Sequence, residues 1–301
     1  MSQRSFPQQN RPQQGHQQNR PQQGYWQRQN PQDQAQGAIP AIPGNLGYAF
    51  NRLLYMTDKG TPVQTLNAKS IEGIVSGGLE KLCRVTVRQL GKGATEPLTP
   101  PAMENVYQFC LRTRYPGLLT GLAYGHGIPG SNADTKTGFR FDHTAGLPIL
   151  PGSSVKGTLR SYFEGLPEDV DALLEGTPLK GKREVLVSLL FEGVTQGKKE
   201  PLPMCQRAIF FDACPCESED PLMGLDSITP HKKSLENPIP IKILKVRGGV
   251  TWRFAFRIPA VELLEDEESR KALIGVFEAL ILDWGIGAKT HVGYGNFGKC
   301  E

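Results

Sequence analysis

Residues 251–259 read TWRFAFRIP, with Trp252, Phe254, Phe256 and Ile258 alternating against Arg253, Ala255 and Arg257. A period of two belongs to an extended strand, whose successive side chains point to opposite faces. One face is strongly apolar and must be covered, while the other carries guanidinium groups that are stable in water. The aromatic groups Trp252, Phe254 and Phe256 are therefore expected in a core rather than on a stacking platform.

The neighbouring segments supply partners and cover. IPIKILKV at 239–246 is a second apolar run, and the two runs flank Arg247, Gly248 and Gly249. That arrangement predicts a hairpin. SVKGTLRSYFEGL at 154–166 predicts a helix, with Ser153 and Ser154 as N-caps. Val155, Leu159, Phe163 and Leu166 would form its inward stripe, and Lys156 and Arg160 would lie on an adjacent face. Gly157 inside it implies a close approach, since glycine costs about 1 kcal/mol against alanine in a helix. REVLVSLLFEG at 183–193 predicts another helix, and QRAIFFDACP at 206–215 a buried strand.

The last helix is expected from Asp266 to Trp284, with Leu273, Phe277, Leu280, Ile281 and Trp284 inward and Gly285 as its stop. A short final strand would hold Val292 and Tyr294. LLTGLAYG at 118–125 reads as a strand before a polar excursion, from Gly125 to about Gly146. A second polar loop runs over 217–238. From 118 onward the order is strand, helix, strand, hairpin, helix, glycine-rich loop, strand. This is an α+β, ferredoxin-like core with inserted loops. Residues 44–117 resist parsing, beyond helical spacing at 46–56 and 71–90.

The N-terminal residues are a different material. NRPQQGHQQ at 10–18 is followed by NRPQQGYWQ at 19–27, a self-repeat rich in Gln, Asn and Pro. Such a segment buries too little apolar surface to offset its ordering entropy, so residues 1–37 are expected to be a disordered tail, with the folded domain over 38–301. The tail holds four arginines and one aspartate, which is +3 of the formal +4 and leaves +1 for the rest. A polyanion could then be bound only by local clustering of cations.

The start MSQRSFPQQN has no apolar leader core, and the longest apolar stretch, 272–282, is too short to span a bilayer and contains Glu278. Six cysteines without a Cys-x-x-Cys pair predict free thiols in a reducing cytoplasm. The spacing of Cys205, Cys214 and Cys216 fits no standard zinc pattern. No cofactor or metal is expected.

The segment GIGAKTHVGYGNFG at 285–298 carries five glycines. GYGNFG at 293–298 and GHGIPG at 125–130 both match G-x-G-x-x-G, yet neither opens a helix, so dinucleotide binding is excluded. GIGAKT lacks the glycine that a phosphate loop needs directly before its lysine. Two readings stand: an anion nest of backbone amides with Lys289 as a point charge, or a tight turn needing glycine for geometry alone.

The blocks GLPILPGSSVKGTLRSYF, AIFFDACP, DSITPH, NPIPIKILKV and LDWGIGAKTHVGYGNFG, in this order, resemble the RAMP superfamily of CRISPR-associated proteins. Within it they are most similar to the subunit 6 family of the type III-B (Cmr) effector complex. The resemblance covers about 118–298 and leaves the tail unmatched. It implies an RNA-recognition-like core in a multi-subunit antiviral ribonucleoprotein. The chain would bind CRISPR RNA towards its 3′ side, contact the guide–target duplex and close the end of the backbone filament. Target cleavage would reside in another subunit. The RNA-binding residues implied are Ser153, Ser154, Lys156 and Arg160 in the first block, and Gly287, Lys289, Thr290 and His291 in the second. Amides, hydroxyls and cations suit phosphates and 2′-hydroxyls without reading bases.

A competing reading is a metal-independent endoribonuclease processing CRISPR RNA, for which His126, His143, His231 and His291 supply candidate acid–base groups and His291 the best one. A third is a purely structural subunit. Asp134, Lys136, Arg140 and His143, or Asp226, His231, Lys232 and Lys233, would then meet protein, or one excursion would be a thumb inserted into the duplex.

Overall fold

The computed structural model describes residues 45–53, 56, 77–85, 98–120, 139–198, 200–228 and 241–300. The tail with its boundary at 37 lies outside these residues, as do His126, Asp134, Lys136, His231, Lys232 and Lys233.

The central strand is β1, Val106–Thr113, in the region that resists parsing from sequence. It pairs antiparallel with β6, Thr251–Arg257, in the register Tyr107↔Phe256, Phe109↔Phe254 and Leu111↔Trp252. Two apolar stripes thus fall on one face of the sheet, as the alternation in β6 requires. Its other neighbours are β2, Ile209–Phe210, and β3, Cys214–Glu217, on the far side of β6, and β7, Phe297–Lys299, beside β1.

The sheet order β2-β6-β1-β7 is the ferredoxin-like order, with the described strands paired antiparallel. Helix α2, Gly152–Gly165, follows β1, and helix α5, Glu267–Trp284, follows β6. Between α2 and β2 lie α3, Pro167–Leu174, which the sequence reading missed, and α4, Arg183–Val187, continued by a π-helical turn to Glu192. A short helix α1, Leu46–Asn51, is capped by the Asn45 side chain, and 77–82 is also helical.

Aromatic rings fill the space between sheet and helices. Phe256 lies 5.1 Å from Phe277 of α5, and Phe163 of α2 lies 6.0 Å from Phe277 and 5.7 Å from Phe191. Trp252, Phe254 and Phe256 are fully buried, each contributing about 2–3 kcal/mol. They are core, as expected.

The second layer of strands corrects the predicted hairpin. β5, Ile241–Val246, pairs not with β6 but with β4, Met223–Ile228, inside the stretch expected to be loop. Both edges of β6 are already taken, by β1 and by β2 with β3. The turn at Arg247–Gly249 therefore passes the chain from one sheet to the other.

The strand expected at 118–125 reduces to a single bridge, Leu118↔Val246, and residues from 121 lie outside the described set. Three smaller expectations also change. Trp284 is 44% exposed, because α5 has already left the sheet there. Val292 and Tyr294 precede the final strand instead of forming it, and the buried run at 206–215 is two short strands, not one. Among the described residues no helix is long and apolar enough to cross a membrane.

Candidate nucleic-acid interface

The first block opens α2, but its serines do not cap it. Pro151 occupies the N-cap position without a side-chain cap bond, and the Gly152 amide donates to Asp212 Oδ1 at 2.6 Å. Gly152 has to sit there because a Cβ would lie 1.9 Å from the carbonyl oxygen of Phe210. That contact with β2 sets the helix start, so Ser153 and Ser154 fall inside the first turn, exposed and half-buried respectively. The close approach expected at Gly157 is also absent within this chain: a Cβ would meet nothing within 4 Å among the described residues.

Further along α2, cations gather. The Lys156 ammonium lies 6.0 Å from the Phe210 ring centre. Its pKa is lowered, first by partial burial and then by repulsion from Arg160 and Arg207. Arg160 is drawn to Glu164 at 2.8 Å and Glu192 at 3.1 Å. These are exposed pairs of little stabilising value. Lys156, Arg160 and Arg207 lie close enough to repel one another, and Glu164 and Glu192 offset part of that charge.

The second block forms a loop that folds against residues 117–119. The Ala288 amide donates to Leu119 O at 2.7 Å, and the Gly295 amide to Gly117 O at 2.8 Å. The Ile286 amide is turned inward to Gly295 O at 2.9 Å. Gly287 has φ +110, and a Cβ on it would lie 2.4 Å from Leu119 O. Much of the glycine content is thus explained by close backbone packing.

Lys289 is not explained that way. Its φ is 61°, in the left-handed region, which costs a side-chain-bearing residue about 1–2 kcal/mol. A strained lysine among glycines is a positional demand on its side chain. Lys289, Gly287 and His291 are exposed and Thr290 half-buried, at the start of a 3-10 turn.

The two blocks meet, although not at their lysines. Tyr162 of α2 donates its hydroxyl to Gly285 O at 2.7 Å. Burial raises the Tyr162 phenol to about 12. Lys156 lies six residues earlier on the same helix, about 9 Å along the axis and about 120° round it. It belongs to the β2 edge, whereas Lys289 belongs to the loop packed on 117–119.

A group the sequence reading did not single out as a unit sits beside that loop. Asp226 of β4 accepts from Lys245 of β5 at 2.6 Å and from the Tyr294 hydroxyl at 2.7 Å. Burial pushes the Asp226 carboxyl up, but the bonds from Lys245, Tyr294 and the Ser227 amide outweigh it and hold the group below its usual range. The available signal is the alternation in MGLDSI opposite IKILKV, which surrounding turn-forming residues mask.

Asp226 thus belongs to this internal network, while Arg140 and His143 line a separate groove near Tyr48 and Asp142. Among the described residues no three His, Cys, Asp or Glu side chains are placed to hold a metal. The six cysteines are free.

Residues 110–298 match the RAMP superfamily. The CRISPR system CMR subunit Cmr6 of Saccharolobus solfataricus is 29% identical over 166 residues, which is 54% of this chain and 48% of that protein. The match therefore spans about half the length of this curated relative. A chain in the cryo-EM structure of the type III-B Cmr-beta bound to cognate target RNA shares the fold, with a TM-score of 0.50 at 23% identity, covering 78% of this chain and 76% of that one.

Proposed function

The chain belongs to the RAMP superfamily, and from that membership we propose that it is a non-catalytic, RNA-binding subunit of a type III-B CRISPR (Cmr) effector. In this role it holds the CRISPR RNA towards its 3′ side, meets the guide–target duplex and other Cmr subunits, and caps the backbone filament in the cytoplasm. The likeness to the curated Cmr6 supports this identity.

The observation that carries the RNA-binding reading is Lys289, held at φ 61° and exposed in a loop that is otherwise built for close packing. Ser153, Ser154, Lys156 and Arg160 on α2 provide a second contact, joined to the loop through Tyr162 and Gly285. Both present cations and polar groups without a base-reading pattern, which suits a guide of variable sequence. Backbone contacts of this kind make affinity depend on salt rather than on sequence.

The deciding experiment is to recover the tagged full chain from cells and sequence the RNA that comes with it. Short guides sharing a uniform 5′ repeat sequence are expected. A parallel incubation with labelled repeat RNA in EDTA tests the enzyme alternative. Site-specific cuts that disappear in His291→Ala would replace the non-catalytic reading with an endoribonuclease.

A further inference from the structure

Beside the glycine-rich loop lies a groove of about 900 Å³, with Arg84, Tyr115, Lys245 and Arg247 among its lining residues together with the acids Glu80 and Asp220. None of its cations belongs to the two blocks described above. Tyr115 is 89% exposed, the most exposed large apolar side chain among the described residues. Its ring has a cation beside it. The Lys245 ammonium lies 5.7 Å from the Tyr115 ring centre and 5.8 Å from that of Tyr294. Asp226 anchors Lys245 at 2.6 Å. Lys245 is thus already matched by a carboxylate and works as a support for the ring.

The remaining cations are arranged differently. Arg247 is held by its backbone: its amide donates to Leu222 O at 3.0 Å and its carbonyl accepts from Thr113 Oγ1 at 2.8 Å. Its side chain runs across Gly224, where a Cβ would lie 3.0 Å from Arg247 Cγ, and it is exposed at its end. Arg84 also lines the groove and is exposed. Arg112 stands at the rim, its Nη2 3.7 Å from where a Cβ on Gly249 would be.

We propose that this groove receives an unpaired RNA nucleotide, with the base stacked on Tyr115 and the flanking phosphates on Arg247 and Arg84. The inference rests on the RNA-binding reading and deepens it, since it names single-stranded rather than duplex RNA as the ligand here. An exposed aromatic ring matches the π-face of any base, and cations in the same groove match the backbone; this is the usual construction of single-strand sites. Within a duplex the base faces are hidden, so paired RNA gains nothing from Tyr115. Arg84, Lys245 and Arg247 outnumber Glu80 and Asp220 in the lining, which favours an anionic ligand over a neutral or basic one, and the exposed ring adds a face for a base. The groove also continues the glycine-rich loop, because Gly117 O accepts the Gly295 amide at 2.8 Å.

The test uses the full chain in low salt, with fluorescence anisotropy of a labelled oligouridine and of a labelled RNA duplex. Tyr115→Ala is expected to weaken oligouridine binding about tenfold with an unchanged log–log salt slope, and to leave duplex binding alone. Tyr115→Trp restores the single-strand affinity. Arg247→Ala lowers the salt slope by about 1 on oligouridine. Wild-type RNA binding that is indifferent to Tyr115→Ala overturns the stacking site and leaves the RNA-binding reading intact. Failure of the wild-type chain to bind either RNA removes both. Loss of a co-purifying protein in Tyr115→Ala, with oligouridine binding unchanged, makes the groove a protein contact and also overturns the proposal.

Discussion

The hydroxyl of Tyr162 donates to the carbonyl oxygen of Gly285 at 2.7 Å, joining the first ferredoxin-like helix to the point where the last helix gives way to the glycine-rich loop. The bond connects two segments 123 residues apart, and it satisfies a carbonyl that the helix itself leaves open.

Tyr162→Phe removes this bond and is expected to lower stability by about 1 kcal/mol, read by urea denaturation at neutral pH. The phenol, raised from 10.0 to about 12 by burial, gives the sign of a second effect. Its contribution is complete below pH 10 and lost as pH rises towards 12, because the unfolded chain releases the proton first. The variant should show a shallower alkaline fall in stability. An identical fall would mean that the hydroxyl is not held as described.

Lys289→Gly separates fold from function. Relief of the left-handed backbone at φ 61° opposes the added freedom of the unfolded chain. Stability is therefore expected to be unchanged or raised by up to about 1 kcal/mol. RNA affinity should nevertheless fall, with the salt slope lower by about 1; Lys156→Ala should remove a further unit independently. A slope that does not move would show that the lysine touches no phosphate.

Gly152 and Gly157 lie on one helix and should respond oppositely to alanine. At Gly152 the new Cβ would be 1.9 Å from Phe210 O, so a loss of about 1–3 kcal/mol is expected. At Gly157 nothing lies within 4 Å, so thermal unfolding should show a gain of about 1 kcal/mol. If Gly157→Ala also weakens RNA binding, the helix face at that glycine is covered by the ligand.

Asp226→Asn tests the half-buried network beside the groove. The carboxyl is held below 3.8 in the folded chain, so the stability it supplies is present above that value and lost as pH falls through the lowered one. The variant should be less stable at pH 7 and should lose part of the acid limb of the stability profile. Urea midpoints measured between neutral and strongly acid pH check both. Unchanged midpoints would show that Lys245 and Tyr294 gain nothing from the charge.

Much of the fold was legible where period and chemistry are local. The alternation in TWRFAFRIP correctly placed Trp252, Phe254 and Phe256 inside, and the apolar spacing of α2 and α5 gave both helices within a residue or two. β1 is less legible although Tyr107, Phe109 and Leu111 alternate with Gln108, Cys110 and Arg112, because prolines at 97, 100, 101 and 116 crowd its flanks and prolines interrupt strands. The β5–β6 hairpin failed for a different reason. A tight Arg-Gly-Gly turn between two apolar runs is a good local signal, but it cannot report that both edges of β6 are filled by strands from elsewhere.

The sequence alone determined which side chains face inward within each element and where the chain must turn, since these follow from the fixed geometry of helix and strand. It also carried the blocks that mark the superfamily. Tertiary structure alone decided that Asp212 holds the amide of Gly152, that Arg207 is brought to Lys156, and that the Lys245 ammonium stands beside the Tyr115 ring. Each of those contacts closes a long loop, and the cost of closure rises only slowly with its length. Partners are therefore chosen by competition for edges and packing space, which no local pattern records.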